Sequence, residues 1–192
     1  VKLKLRSSGF TNEVLNSYRS ISIVLIKGKQ SMKLLSAIVP CYNEEEVLTE
    51  TTKQLKTKLE DLIEKKVIAK ESRVMYVNDG SKDKTWQLIE KISKENELFT
   101  GISLSRNRGH QNALLAGLMT AKEYADIVIS MDADLQDDIN AIDDMLKKYY
   151  EGCDIVYGVR SSRKKDTWFK KTTAQAFYKF MKLMGVDIVY NH

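Results

Sequence analysis

Short apolar runs alternate with longer amphipathic segments along most of this chain. The apolar runs predict buried strands, because strands covered on both faces read as continuous apolar stretches. They cover residues 34–39, 73–77, 99–104, 126–131 and 153–158. The intervening segments carry apolar residues at helical spacing, and they predict helices at residues 44–66, 84–95, 111–124, 139–150 and 167–184. This alternation predicts an α/β fold with a mostly parallel central sheet flanked by helices.

A polar cluster follows each of the first four predicted strands. The clusters are Pro40-Cys41-Tyr42-Asn43-Glu44, Asn78-Asp79-Gly80-Ser81, Ser105-Arg106-Asn107-Arg108-Gly109-His110 and Asp132-Ala133-Asp134-Leu135-Gln136. Parallel strands end at the same edge of a sheet, and open α/β sheets bind ligands beyond the carboxyl ends of their strands. The four clusters therefore predict one binding site at this edge.

The fourth cluster carries the most informative pattern. Asp132 and Asp134 are separated by one residue directly after an apolar run. Side chains alternate between faces in an extended strand, so the chain must bend at Ala133 for both carboxylates to converge. Mg²⁺ and Mn²⁺ prefer oxygen ligands and are commonly shared between carboxylates and substrate phosphates. The pair predicts a divalent-metal site for a diphosphate-bearing molecule, with a solvated acidic turn as the alternative.

The third cluster suits phosphate. Arg106 and Arg108 offer forked guanidinium donors, and Gly109 permits a turn into the next helix, whose N-terminus attracts anions. His110 either contacts substrate or is a simple capping or surface residue. This cluster therefore predicts phosphate binding beside the carboxylate pair.

The first two clusters have structural as well as chemical interpretations. Pro40 fixes its own φ angle and ends a strand in a rigid bend. Acidic residues 44–46 favour the positive end of a helix dipole. Asp79 can accept hydrogen bonds from a base or a ribose, and Ser81 or Asp83 can cap the following helix. For both clusters, a role in ligand binding and a role in local structure therefore remain alternatives.

Composition bounds the class of protein. The chain has 192 residues, 43% of them hydrophobic and 30% charged, which is typical of one compact globular domain. No apolar run approaches the ~20 residues that span a bilayer. Cys41 and Cys153 lack any metal-ligand spacing, and we expect two free thiols in a reducing compartment.

The N-terminal part of the chain differs from the rest. Residues 1–31 hold six of the 31 basic residues and one of the 26 acidic ones, so residues 32–192 carry 25 of each sign. This neutral body gives no reason to expect a nucleic-acid partner. Because residues 1–31 are rich in Ser and lack clear periodicity, we expect them to be an N-terminal extension, with Met32 as the natural start.

A basic stretch lies near the C-terminal end. Eight basic side chains stand between residues 160 and 182 against Asp166 alone, with aromatic side chains interleaved. A basic amphipathic helix of this kind suits an anionic membrane surface or a phosphorylated lipid. The alternative is a solvated helix whose aromatic side chains pack on the sheet.

Taken together, the strand-end motifs resemble those of family 2 glycosyltransferases, which have the GT-A fold. Within that family the chain is most similar to the polyprenyl-phosphate branch, the dolichol-phosphate mannose synthases and bacterial undecaprenyl-phosphate glucosyltransferases. The matching motifs are residues 38–44, 77–81, 105–113 and 131–136, and the resemblance covers residues 33–192. Since such relatives continue further, residues 32–192 are expected to form a catalytic domain that is truncated at its C-terminal end.

The resemblance implies an activity. A hexose would pass, with inversion, from a nucleotide-diphosphate sugar to undecaprenyl or dolichyl phosphate in cell-envelope glycan synthesis, with Mg²⁺ or Mn²⁺ as cofactor. The resemblance favours a UDP-hexose over GDP-mannose as donor. It implies that the protein acts at the cytoplasmic face of the plasma membrane and that the full-length protein is anchored there. It also allows a homo-oligomer. The alternatives are a family 2 enzyme with a saccharide acceptor and a nucleotide-sugar-binding scaffold without turnover.

The resemblance also implies roles for individual residues. The nucleotide-sugar-binding positions are Pro40, Tyr42, Glu44, Asp79, Ser81, Arg108, Ala133 and Arg160. Asp132 and Asp134 are the catalytic pair and, with Gln136, the metal ligands. Arg160 and Arg163 would face the phosphates of the donor or of the lipid acceptor. The acidic dyad of many alcohol-acceptor relatives is not found, which agrees with an acceptor that is already ionised.

Overall fold

The computed structural model describes residues 22–25, 32–134, 136 and 138–158, and these residues build one six-stranded sheet with helices on both faces. The strands are β1 (Ser22–Leu25), β2 (Leu35–Cys41), β3 (Arg73–Asn78), β4 (Phe99–Ser103), β5 (Ile127–Ser130) and β6 (Ile155–Tyr157). The helices are α1 (Leu48–Glu64), α2 (Thr85–Glu95), α3 (His110–Ala121) and α4 (Ala141–Tyr150). The predicted α/β architecture is confirmed.

The sheet order places the polar clusters at one edge. The order is β4-β3-β2-β5-β1-β6, with β2 parallel to both β3 and β5 and β3 parallel to β4. Cys41 lies opposite Asn78, and Asn78 lies opposite Ser103, so three strands end side by side. On the other side of β2, the last residue of β5, Ser130, lies opposite Ile38. The first four predicted strands therefore deliver their clusters to a common edge, as the sequence indicated.

Strand β1 was not among the predicted elements. It lies antiparallel between β5 and β6, inside the region expected to be an extension. Its four residues are too short a pattern to predict a strand alone, because its place depends on the partners to either side. The strand predicted at residues 153–158 forms as β6, and the helix predicted at residues 167–184 lies outside the described residues.

Pro40 lies inside β2 and does not end it. The carbonyl oxygen of Ile38 accepts a hydrogen bond from the amide of Met131, so residues with even numbers in β2 direct their backbone groups towards β5. At Pro40 that neighbour has already ended at Ser130. The missing amide proton of Pro40 therefore costs no ladder bond, which is the condition that allows Pro within a sheet.

The core has two layers, one on each face of the sheet. On one face β2 and β3 pack against buried residues of α1, α2 and α4: Leu48, Leu55, Leu59, Leu62, Ile89, Ile142, Met145 and Leu146. On the other face Ile38 and Val77 pack against α3. A Cβ atom at Gly117 of α3 would come within 2.4 Å of Ile38 Cγ2 and 2.9 Å of Val77 Cγ2. Glycine therefore lets α3 lie unusually close to the strands that carry the site.

In the described part of the chain, no helix combines the length and the apolar character needed to cross a bilayer.

Candidate functional site

The first two clusters are joined by backbone-to-side-chain hydrogen bonds. Asn43 adopts a φ angle of 57°, a left-handed conformation that Asn tolerates better than most residues. In this conformation its amide donates to Ser81 Oγ at 3.0 Å, and its own Oδ1 accepts from the amide of Lys82 at 2.9 Å. The next amide, of Glu44, donates to Thr85 Oγ1 at 2.8 Å. These bonds fix the loop after β2 to the loop after β3.

A second reciprocal pair continues the junction. The amide of Glu45 donates to Asp83 Oδ2 at 3.2 Å, and Glu45 Oε2 accepts from the amide of Lys84 at 2.7 Å. Asp83 Oδ1 also accepts from the amide of Thr85, the first residue of α2. The first residue of α1 is Leu48, four residues after the predicted helix start. The amides of Val47 and Leu48 both donate to the carbonyl oxygen of Glu44, so residues 44–47 form a turn that leads into the helix. The side chain of Glu45 serves the neighbouring loop and the start of α2.

Asp79 holds the third cluster in place. Its side chain is buried, and its two oxygens accept from the amides of Arg108 at 2.7 Å and Gly109 at 2.9 Å. Gly80 has a φ angle of 66°, and a Cβ atom there would come within 2.4 Å of the carbonyl carbon of Arg106. Asp79 therefore uses both of its side-chain oxygens to hold the loop after β4 against the loop after β3.

The fourth cluster is bent as predicted. The chain turns at Ala133 and Asp134, leaving Ala133 buried, Asp132 half-buried and Asp134 exposed. Thr51 of α1 lies with its Oγ1 2.6 Å from the carbonyl oxygen of Ala133, and Asp134 Oδ1 accepts from the amide of Gln136 at 3.0 Å. The bend is therefore anchored through its backbone, and both carboxylates are left accessible.

Electrostatics connect the first cluster to the fourth. Glu44 has a pKa above its ordinary value, first because it is partly buried and then because the charges of Asp134, Asp83 and Asp132 repel its own. Carboxylates that lie close enough to raise the pKa of one of their number mark a candidate functional site. The third cluster also meets the fourth, since His110 Nε2 lies 3.7 Å from Asp132 Oδ1. The structure thus brings together all four clusters.

The carboxylate pair fits a cation that is shared with substrate. Within the described residues, no group of three acidic, His or Cys side chains is arranged to enclose a metal ion. Mg²⁺ is ordinarily bound through one or two carboxylates and takes its remaining ligands from water and substrate phosphates. Asp132 and Asp134 match that requirement, and the exposed Gln136 lies beside them.

The remaining predicted positions differ in accessibility. Tyr42 is 38% exposed at the end of β2, and Arg108 is exposed, so both side chains are available to a ligand. Pro40 is buried in β2, and Ser81 already accepts the bond from Asn43. Arg160 and Arg163 lie outside the described residues.

Sequence reasoning did not assign roles to three polar residues that shape the site. Asn43, Thr51 and Thr85 bond partners 38, 82 and 41 residues away in the chain. One local signal was available for Asn43, because Asn at a strand end is a common left-handed turn residue. The pairings of the two threonines are visible only once the sheet is assembled.

Cys41 lacks the environment of a reactive thiol. Its thiol is buried, and burial followed by the nearby charge of Glu44 raises the pKa of Cys41 far above the ordinary value of a thiol. Reactive cysteines need a lowered pKa and some exposure. Both cysteines are free, as the sequence predicted.

Comparison with known sequences identifies the family. The family model for glycosyl transferase family 2 matches residues 36–188. The chain belongs to glycosyl transferase family 2. This is a family of glycosyltransferases, and the mostly parallel α/β sheet described above is the architecture expected for it.

The chain is similar to several curated members of the family. It is 57% identical over 164 residues to the uncharacterized glycosyltransferase YkoT of Bacillus subtilis (strain 168), covering 85% of this chain and 49% of that one. It is 37% identical over 145 residues to the prophage bactoprenol glucosyl transferase homolog of Escherichia coli (strain K12), covering 76% and 45%. The chain thus spans about half the length of these relatives.

Solved structures show a weaker likeness. TarS of S. aureus matches with a TM-score of 0.45 at 23% identity, over 61% of this chain and 20% of that one. The mannosyltransferase PcManGT from Pyrobaculum calidifontis, solved with GDP-Man and Mn²⁺, matches with a TM-score of 0.42 at 26% identity, over 54% and 28%.

Proposed function

We propose that this glycosyltransferase moves a hexose from a nucleotide-diphosphate sugar to a polyprenyl phosphate, undecaprenyl or dolichyl phosphate, in cell-envelope glycan synthesis. The observation that carries the proposal is the meeting of four loops around Asp132 and Asp134 at one sheet edge. The relative from Escherichia coli at 37% identity, which is named a bactoprenol glucosyl transferase homolog, supports the lipid acceptor.

The donor's nucleoside is assigned to the junction of the first two clusters. Tyr42 offers an exposed aromatic face on which a base can stack, and Glu44 and Asp79 offer acceptors for ribose and base. Pro40 and Ser81 shape the floor and rim of this half through their positions in β2 and in the following loop. UDP is favoured over GDP as the nucleotide of the donor.

The donor's diphosphate is assigned to the other half of the site. Asp132 and Asp134, with Gln136 beside them, would hold Mg²⁺ or Mn²⁺, which supplies positive charge against the negative charge that develops on the leaving diphosphate. Ala133 presents its backbone at the same bend. Arg108 offers forked donors to the phosphates, and Arg160 and Arg163 are proposed to face donor or acceptor phosphates.

The acceptor makes a strong base unnecessary. A phosphate monoester has a second pKa of about 6 and is largely dianionic at neutral pH. One of its oxygens forms a bond to the anomeric carbon from the face opposite the leaving group. The bond from that carbon to the diphosphate oxygen breaks, and its electrons leave with the nucleoside diphosphate. The sugar is inverted, and no proton has to be removed.

The acceptor also implies a place of action. Polyprenyl phosphates are held in a bilayer, and nucleotide sugars are supplied from the cytoplasmic side of the plasma membrane. We propose that this domain works at that surface, with the basic stretch at residues 160–182 directed to it.

Two measurements test the proposal. In calorimetric titrations with Mn²⁺ present, we expect UDP to bind more tightly than GDP, and a chelator should abolish that binding. With a UDP-hexose donor, we expect sugar transfer to undecaprenyl phosphate in detergent micelles. Transfer only to a saccharide would replace the acceptor assignment. Nucleotide binding without either transfer or donor hydrolysis would favour a scaffold.

A further inference from the structure

His110 lies at the sheet edge and has no role in the proposed reaction. Its Nε2 atom lies 3.7 Å from Asp132 Oδ1, and both side chains are partly exposed, His110 by 46% and Asp132 by 41%. This distance is just beyond hydrogen-bond length. Because contacts in unliganded sites often tighten when the ligand binds, a small rotation of either side chain brings the two groups into a hydrogen bond.

The backbone that carries His110 is held at two points. The residue before it, Gly109, has a φ angle of 88° and gives its amide to Asp79 Oδ2. Helix α3, which begins at His110, lies close against the sheet where Gly117 meets Ile38. The imidazole therefore projects from a fixed helix end towards the loop that holds Asp132.

As a metal ligand, the carboxylate of Asp132 would be helped by a neighbouring group that orients it without cancelling its negative charge. Asp132 lies close enough to Glu44 for their charges to interact, so without a directing contact it can turn away from its neighbours. An Arg or Lys in place of His110 would form a full ion pair and compete with a bound cation. An imidazole N–H can direct a ligating carboxylate while leaving its charge available, as is common around metal ligands.

We propose that His110 is a positioning residue that orients Asp132 towards a divalent cation bound with the donor diphosphate. The proposal rests on the function proposed above, in which Asp132 is a metal ligand. His110 acts through Asp132 and does not itself bind the cation.

The test compares metal affinity and does not depend on turnover. Free Mn²⁺ is titrated by its paramagnetic resonance signal with UDP present, for the wild type and four variants of the whole chain. Loss of a residue that orients a metal ligand typically weakens metal affinity about 10- to 100-fold, and we expect that loss for His110→Ala. His110→Gln keeps an N–H donor at similar reach and should recover most of the affinity.

Asn112→Ala is the matched control. Asn112 lies in the same first helical turn, but its Nδ2 atom donates to the carbonyl oxygen of Arg108. It therefore reports what general loosening of the helix start does, and we expect it to change Mn²⁺ affinity by less than His110→Ala. Melting temperatures of all variants show whether each remains folded.

The outcomes separate this inference from the function on which it rests. Equal Mn²⁺ affinity in wild type and His110→Ala overturns the inference alone, and so do equal losses in His110→Ala and Asn112→Ala or no recovery in His110→Gln. Absence of metal-dependent binding in the wild type, or an unchanged affinity in Asp132→Asn, overturns the metal assignment itself and the inference with it.

Discussion

The two halves of the candidate site are held in different ways. The junction of the first two clusters is closed by reciprocal bonds, Asn43 with the loop at Ser81 and Glu45 with the loop at Asp83. The loop around Asp132 is anchored through the backbone of Ala133, and its carboxylates are accessible. A preorganised half suits recognition of a fixed group such as a nucleoside, because little ordering entropy remains to be lost. The half around Asp132 has concentrated negative charge, and we expect a bound cation and diphosphate to complete it.

The largest expected effect is that of a substitution at Asp132, in the half of the site with accessible carboxylates. We expect Asp132→Asn to lower sugar transfer by about 100- to 1,000-fold, as for removal of one group that stabilises transition-state charge. Its thermal stability should stay within about 0.5 kcal/mol of wild type, because the position is partly exposed. Initial rates and melting curves measure the two effects. Asp138→Asn, which changes another exposed carboxylate of the same loop, is the control and should keep its rate.

The constrained half is tested at Gly80. Gly80→Ala places a methyl group within 2.5 Å of the amide nitrogen of Asn107 at a positive φ angle. Gly152 also has a positive φ angle, 94°, but open space around its missing Cβ atom. Gly80→Ala should therefore cost about 1–3 kcal/mol of unfolding free energy beyond Gly152→Ala, the usual cost of overpacking. Denaturant titration of both variants measures the difference, and equal costs would mean that the two loops are not in close contact.

A smaller change tests the reciprocal bonds. Ser81→Ala removes the acceptor of the Asn43 amide, and we expect a loss of about 0.5–1.5 kcal/mol, the net value of one hydrogen bond. UDP affinity should fall as well, because the loop that carries Tyr42 loses a constraint. Ser105→Ala, at an exposed Ser in the neighbouring loop, is the control. If UDP binding were unaffected by Ser81→Ala, preorganisation of this half would have no part in recognition.

The smallest expected effect concerns Glu44. Its raised pKa means that the folded state binds this proton more tightly than the unfolded state does, so ionisation of Glu44 costs stability. That cost is absent below the ordinary Glu pKa and fully present above the raised one. Glu44→Gln should therefore stabilise the protein at pH 7 by less than about 0.5 kcal/mol, since the group is largely accessible, and the gain should vanish at pH 4. Melting curves at both pH values measure it, with Glu46→Gln as control. A gain that persisted at pH 4 would contradict the electrostatic origin.

The sequence predicted the sheet edge better than the loops on it. The apolar run predicted β3 at residues 73–77, within one residue of its observed end at Asn78. This prediction succeeded because a buried strand can be recognised from its local composition. The start of α1 was misplaced by four residues, from 44 to Leu48. Acidic residues are favourable at the start of any nearby helix, so they do not show which helix they serve. The sequence does not reveal that the side chain of Glu45 accepts a hydrogen bond from the amide of Lys84, next to α2.

Contacts between distant segments explain the rest. Each reciprocal bond between the first two clusters joins residues 38 or 39 positions apart, and β1 is defined by β5 and β6 on either side of it. Local pattern carries no information about such partners. The chemistry of the four clusters was readable because residue type alone limits what a carboxylate pair or a guanidinium can bind.

The contact that Asp79 makes with the loop after β4 has a consequence for which substitutions this domain can tolerate. Asp79 grips the main-chain amides at positions 108 and 109 and no side chain there. Any residue other than proline at position 108 has an amide that can donate this hydrogen bond, so the side chain there can change while the loop keeps its conformation. On the function proposed above, position 108 is thus a place where substitution, natural or in a laboratory library, can alter contact with the donor phosphates without first having to rebuild the loop.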